Sequence, residues 1–471
     1  MIAMSIEQIA GAVDGRLLGD PDAGARVIDG LSYTDSREVV PGGVFFAKPG
    51  EFTDGHLFAP QALERGAALL VVDHELELDV PQIVVADVVE ALGALARHVI
   101  ELARAIGILR IVGITGSNGK TTTKNLLAEI LRRRAETVAS RASYNNEVGA
   151  PLTMLEVTEQ TRYLVAEMGA SREGDIARLV RLARPDIGVV LKVGLAHAGE
   201  FGGIEATQRA KSEMVTDLLP GDTAVLNADD PRVAAMASLT AADVLWFGNE
   251  GVDAPDRVRA TDVRATRSGT AFVLHLPNGE SRGVSFRVLG EHHVANALAA
   301  SASAYALGIG IDDIVTGLEA VTRAERWRME VMGGARGVTI INDAYNASPD
   351  SMAAALKTLA QLREPQGRAV AVLGEMSELG ESSGPEHDRI GLLAVRLGID
   401  QVVVVGAGAR RMHISTINEG SWDGESVYVE GQDEAYDLLT SLLKEGDTVL
   451  VKSSNSAGLR HLGDRLGELF S

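Results

Sequence analysis

Between residues 109 and 134 the chain reads LRIVGITGSNGKTTTKNLLAEILRRR, and this stretch carries the sharpest chemical signal in the sequence. A buried strand ending at Thr115 runs into a glycine-bounded turn, and a helix starts at about Lys120 with Leu126, Leu127, Ile130 and Leu131 on one face. Backbone N–H groups of Gly116, Ser117, Asn118, Gly119 and Thr122, together with the positive end of the helix dipole, can surround a polyphosphate. Lys120 can reach the terminal phosphates, and the Thr121 hydroxyl can hold Mg²⁺. The spacing departs from the generic phosphate loop G-x-x-x-x-G-K-[ST], which would place glycine where Ile114 stands.

Other groups able to do chemistry fall at the carboxyl ends of predicted strands, where open α/β sheets place their ligands. Glu167 ends RYLVAEM, His197 follows DIGVVLKVGLA, and Asn227 and Asp229 close DTAVLN. Farther on, Asp343 and Asn346 follow GVTIIN, Glu375 follows RAVAVLG, and residues 452–455 end GDTVLVK. Glu167 and His197 could complete a Mg²⁺ site begun by Thr121, a carboxylate suiting that hard cation better than an imidazole. On residue type alone Glu167 is as readily a capping carboxylate and His197 a loop histidine held by backbone. Lys211 lies on a polar helix between Glu205 and Glu213, where composition alone suggests a solvated lysine.

These groups need rigid supports, and the pattern supplies three. At about 150 residues per domain, 471 residues suggest roughly three domains. The first, 1–109, mixes strands (GVFFA at 43–47, AALLVV at 67–72, PQIVVA at 81–86) with helices, the last over 88–106. From Arg110, buried strands alternate with amphipathic helices, the mark of a mostly parallel sheet covered on both faces. A short antiparallel section over 252–288, turning at Pro277-Asn278-Gly279, and an alanine-rich helix over 294–307 complete this second domain, 110–323. A third α/β unit, Rossmann-like, occupies 324–471 after a hinge at 321–326.

Composition narrows the function classes. With 44 basic against 65 acidic residues the formal charge is −21, which argues against a general nucleic-acid binder. The absence of cysteine excludes disulfides, thiolate-bound metal and a thiol nucleophile. The amino-terminal MIAMSIEQIAGAVDGRLLGD lacks the basic and apolar regions of a signal peptide, and no apolar run approaches a membrane span. A cytoplasmic monomer that neither binds nucleic acid nor inserts in a membrane is the expectation.

The TGSNGKTT loop, with its departure from generic spacing, resembles that of the Mur ligases, ATP-dependent amide-bond formers of bacterial cell-wall precursor synthesis. DSR at 35–37, DGHLFAPQALERGA from Asp54, YNNEVGAPLT from Tyr144, AEMGASREGDI from Ala166 and DAYNASPDSM from Asp343 extend the resemblance over nearly the whole chain. They point to the member that joins D-alanyl-D-alanine to UDP-N-acetylmuramoyl-tripeptide. The resemblance implies a nucleotide-sugar domain, a phosphate-loop ATPase domain and a domain that binds the incoming dipeptide and closes on ATP. It implies one or two Mg²⁺ ions, with Glu167 and His197 as metal ligands and Lys211 as a lysine whose carbamylation would hold a second ion. Asn296 would contact adenine, Arg328 and Asp343 would close onto the nucleotide, Ser36 and Arg37 would bind the uridine diphosphate, and Asn145 and Asn146 would line the neighbouring substrate channel.

The carboxyl-terminal segment departs from the family's commoner Lys-Gly-Ser-Arg, with Ser453 for glycine and Asn455 for arginine, while Lys452 and Ser454 keep their places. No residue stands out as the base for the incoming amine; His387 and Glu375 are open choices. A diamino-acid-adding member shares the central loop, but the Asp-Asn-Pro-Arg segment expected of it is missing. A phosphate-loop binding module without ligase activity is the alternative from another class, and the strand-end clusters argue against it.

Overall fold

The computed structural model describes residues 1–471 except 20–21, 51–52, 142, 196–202, 253, 256, 267–268, 291, 322–324, 335 and 421–424. Its described strands form three principal sheets, each covered by helices. In the first, Gln82–Val84, Leu69–Val72, Val44–Phe46 and Ser32–Tyr33 run parallel, with Arg16–Leu18 antiparallel at one edge. The Val88–Ile106 helix leaves this sheet, started by the Asp87 carboxylate, which accepts from the Val89 and Glu90 N–H groups, and ended by Gly107 in the left-handed region. Its apolar stripe, including Leu92, Leu95, Val99 and Ile100, is buried in a core that also takes in residues of the central sheet.

That central sheet has nine described strands, mostly parallel. Ile111, Val112 and Ile114 are fully buried, as a strand covered on both faces requires. Register brings the carboxyl ends of four strands to one edge: Glu167 lies opposite Ile114, Val190 opposite Thr115, and Leu226 opposite Val190. The antiparallel section anticipated near its end is present as Arg257–Thr266, Gly269–His275 and Ser281–Phe286, turning at 277–279. The His292–Ala306 helix, rich in alanine, packs closely along Lys120–Arg132. The third sheet has Glu330–Gly333 antiparallel to Thr339–Asn342, and Thr448–Lys452, Ala369–Leu373, Gln401–Val405 and Ser426–Val429 continue it in parallel. Asn342 pairs with Val451 and Leu373 with Lys452, so Asp343 and Lys452 emerge side by side. Among the described residues no helix is long and apolar enough to cross a membrane.

Candidate active site

A cleft of about 1240 Å³ separates the carboxyl edge of the central sheet from the third unit. At its floor the Lys120–Arg132 helix begins directly from Gly119, which is left-handed (φ 86°), and among the described residues no side chain caps its first N–H groups. Those donors are therefore free to meet an anion. A Cβ on Gly119 would stand 2.2 Å from Asn296 Oδ1, so both backbone angle and close approach demand glycine. The loop is fixed from behind: Ser117 N–H donates to the Lys192 carbonyl (2.8 Å), and Ser117 Oγ exchanges hydrogen bonds with the Gly194 backbone (2.9 and 3.2 Å).

Among the described residues, Lys120, Lys192, Lys211 and Lys452 line the cleft. Lys120 Nζ donates to the Gly116 carbonyl (2.7 Å). Burial pushes its ammonium below the ordinary lysine range, Glu167 opposing and Arg328 adding to the effect. Lys211 lines the same cleft and is only 2 % exposed. Burial, and secondarily the nearby Lys120 charge, draw it down to about 7. The solvated lysine suggested by composition is thus corrected: Ala206, Thr207, Ala210, Lys211, Met214 and Val215 form the buried face of the Ile204–Thr216 helix. Lys124, which carried no role in the sequence, is also buried and donates to the Ser140 carbonyl at 2.6 Å.

Glu167 is buried; its Oε1 accepts from Asn145 Nδ2 (2.7 Å), and its Oε2 has no hydrogen-bond partner among the described residues. A desolvated carboxylate oxygen facing a cleft without a donor is costly unless a cation meets it. Asn146 also lines the cleft, its Oδ1 accepting from Gly149 N–H (2.9 Å). His197 lies outside the described residues. Ser36 and Arg37 are not brought to this cleft: Ser36 donates to Gln61 (2.6 Å), and Arg37, with a side chain 79 % exposed, pairs with Asp35.

The third unit contributes the opposite wall. Arg328 lies over the Tyr345 ring (4.3 Å), and its Nη2 donates to Thr121 Oγ1 at 3.3 Å. It is flanked by two residues in the left-handed region, Trp327 (φ 60°) and Met329 (φ 50°). Such backbone costs on the order of 1–3 kcal/mol per residue and persists only where neighbours enforce it. Here Glu330 accepts from Trp327 N–H, and Asp343 Oδ1 accepts from Met329 N–H (3.0 Å). Asp343 Oδ2 accepts from the buried Lys452 ammonium at 2.6 Å, so its carboxylate holds the arginine-bearing segment. Ser348 Oγ donates to Asn118 Oδ1 (3.1 Å), and Ser143 and Tyr345 share a hydroxyl hydrogen bond, adding direct contacts across the cleft.

Gly116 reaches the site through its carbonyl, whereas Ser117, Asn118, Gly119, Thr121, Thr122 and Asn296 line the cleft themselves. Of the two bases left open, His387 is fully committed: Nδ1 donates to the Ser383 carbonyl (2.7 Å) and Nε2 accepts from Met376 N–H (3.0 Å). Glu375 covers Gly408 and does not line the cleft. Asn455 Oδ1 accepts from Arg460, which brings a guanidinium next to the position where the family has arginine.

The sequence and fold of this chain have counterparts among known proteins. Residues 114–304 match the Mur ligase middle domain, 327–455 the Mur ligase glutamate ligase domain, and 29–100 the Mur ligase family catalytic domain. The UDP-N-acetylmuramoyl-tripeptide–D-alanyl-D-alanine ligase of Mycobacterium tuberculosis is 41 % identical, covering 99 % of this chain and 98 % of that protein. The chain belongs to the Mur ligase family. The ligase of the same name from Escherichia coli is 34 % identical over 99 % of both chains. Among solved Mur ligases, the crystal structure of MurF from Acinetobacter baumannii superposes with a TM-score of 0.87 at 32 % identity, covering 99 % of both chains. That of MurF ligase from Thermotoga maritima in complex with ADP gives 0.79 at 28 % identity, over 93 % of this chain and 97 % of that one.

Proposed function

We propose that this Mur ligase joins D-alanyl-D-alanine to UDP-N-acetylmuramoyl-tripeptide, cleaving ATP to ADP and phosphate. The observation that carries the reading is one cleft holding the uncapped phosphate loop, Lys120, Lys211 and the orphaned Glu167 oxygen under a wall that delivers Arg328. In this reading residues 1–109 hold the nucleotide sugar, 110–323 the ATP, and 324–471 the dipeptide.

A carboxylate is a poor acyl donor. The tripeptide carboxylate therefore attacks the γ-phosphorus of ATP, giving an acyl phosphate and ADP; the dipeptide amine, once deprotonated, then attacks the acyl carbon, phosphate leaves, and the nitrogen gives up a proton to become the amide. The first step brings two anions together, so alignment and positive charge matter more than proton transfer. Loop N–H groups and the helix dipole orient the triphosphate, and Lys120 neutralises charge that develops on it. Arg328 adds a second cation from the third unit, while closure of the cleft keeps water from the acyl phosphate.

The buried Glu167 oxygen fits a hard divalent cation, and Thr121, Glu167 and a carbamylated Lys211 would hold Mg²⁺, with His197 assigned through the family resemblance. Bound Mg²⁺ supplies Lewis-acid neutralisation of phosphoryl oxygens. With an amine drawn down to about 7, Lys211 is neutral in substantial fraction near physiological pH and able to add to CO₂, releasing a proton. Carbamylation would turn its repulsion of Lys120 into attraction.

The test is phosphate release from ATP with UDP-muramoyl peptides and a panel of amines. Turnover is expected with the tripeptide nucleotide and D-alanyl-D-alanine together. Turnover instead with a diamino acid and the dipeptide nucleotide would overturn the assignment.

A further inference from the structure

Lys192 and Asp350 meet across the cleft, Nζ to Oδ2 at 3.5 Å, both side chains partly exposed. Lys192 follows the Ile187–Val190 strand, and its carbonyl holds the phosphate loop through Ser117. Asp350 sits in the first turn of the Pro349–Leu362 helix. The helix dipole is the ordinary explanation for an acidic residue there, but this carboxylate reaches across to the other unit. A Cβ on Gly194 would stand 2.5 Å from Asp350 Oδ2, so the glycine makes room for the carboxylate over backbone that is hydrogen-bonded to Ser117.

A carboxylate at the rim of a phosphate loop is unfavourable beside a triphosphate unless a cation stands between them. The reaction brings one. An α-ammonium with an ordinary pKa of about 7.7–8.0 is mostly protonated on arrival at neutral pH. Among its described residues the third unit presents two carboxylates to the cleft, Asp343 and Asp350, and Asp343 is committed to Lys452 and Met329. On the central wall, Asp175 accepts from the Ser171 and Arg172 N–H groups, Asp229 from Asn249 and Glu250, Asp230 from Val193 and Glu167 from Asn145, while Glu147 is solvent-exposed and does not share the Lys192 contact.

Resting on the activity proposed above, we propose that Asp350 binds the ammonium of the incoming dipeptide, and that Lys192 exchanges Asp350 for the phosphate chain of ATP when both substrates are bound. Each member of the pair thus has a second partner of opposite charge. A permanent interdomain ion pair would not need one.

Steady-state kinetics of the full chain with ATP, UDP-N-acetylmuramoyl-tripeptide and D-alanyl-D-alanine separate these roles. Asp350→Asn is expected to raise the dipeptide KM on the order of tenfold or more, the scale for losing a hydrogen bond between charged groups, with the ATP KM unchanged. Lys192→Met is expected to raise the ATP KM instead. The exchanged double variant K192D/D350K should restore neither. Restoration by the exchange, equal effects of Asp350→Asn on both substrates, or an unchanged dipeptide KM would overturn the proposal. Asp350→Ser, checked for a wild-type melting temperature, serves if the asparagine variant does not fold. The wild-type chain separates the two readings: no turnover with D-alanyl-D-alanine overturns the activity, whereas turnover with an unchanged KM in Asp350→Asn overturns only the role of Asp350.

Discussion

Replacing Lys211 with methionine should inactivate the enzyme and at the same time stabilise its fold. Lysine and methionine fill similar space, so the change removes charge more than packing. Drawing a lysine from 10.5 to about 7 corresponds to roughly 4–5 kcal/mol of disfavoured charge at about 1.4 kcal/mol per pKa unit. Between about pH 7 and 10.5 the unfolded chain binds a proton at this residue that the folded chain has largely released. Unfolding then takes up protons, and stability rises with pH across that window. The burden is full below about pH 7 and fades toward 10.5, so the advantage of Lys211→Met should be largest at neutral pH and shrink in alkali.

Chemical denaturation of both proteins from pH 6.5 to 10, in buffer stripped of CO₂, measures this slope. Added bicarbonate should flatten the wild-type curve by trapping the amine as carbamate, which carbon-13 NMR with labelled bicarbonate would detect directly. Bicarbonate should leave the methionine variant unmoved. Parallel pH curves for the two proteins would refute the buried-amine argument, and wild-type phosphate release by Lys211→Met would remove the residue from the site.

Gly119→Ala should abolish ATP binding in calorimetry, since its Cβ would meet Asn296 Oδ1 at 2.2 Å on a backbone with φ 86°; near-normal affinity would sink the account of the loop. His387→Ala should lower the melting temperature by leaving Met376 N–H and the Ser383 carbonyl without partners, yet keep the shape of the pH–rate profile, because both ring nitrogens already serve structure. A lost titration limb would instead mark His387 as the base. Lys452→Met should cost about 3–5 kcal/mol in urea unfolding by stranding the Asp343 carboxylate, and the double variant Lys452→Met/Asp343→Asn should recover part of it; no recovery would show that the pair is not the source of the loss.

The legible parts of the molecule were those in which one segment carries its own pattern. The phosphate loop is local, with strand, turn and helix following within 25 residues, and long buried strands such as Arg110–Thr115 announce themselves through continuous apolar residues. Ser32–Tyr33 and Thr137–Ala139 are too short to show a period and become strands only because a neighbour pairs with them. Lys211 was hidden by its flanking glutamates, although helical spacing puts it with Thr207, Ala210, Met214 and Val215 on one face. That stripe was the available signal. Lys192 and Asp350 had none, since nothing in local spacing joins the end of a central strand to a helix of another sheet.

The −21 charge looks unsuited to a site for two polyanions, and burial resolves the conflict. A charge in a water-poor cleft acts at lower effective dielectric than one on the surface, so a few enclosed cations outweigh many solvated carboxylates. Lys120, Lys124, Lys211, Lys452 and Arg328 are each held at or beneath the cleft floor or wall. The acidic groups that face them are mostly silenced: Asp175, Asp229 and Asp230 accept from backbone N–H groups, and Asp343 is paired with Lys452. Among the described residues, Glu167 Oε2 without a donor and Asp350 on a loose contact to Lys192 remain open to new partners, as does Glu147, which is solvent-exposed where it lines the cleft. The reaction brings two kinds of cation to this cleft, the divalent ion that accompanies ATP and the ammonium of the incoming amine; the buried Glu167 oxygen suits the first, and Asp350, on the wall of the third unit, suits the second.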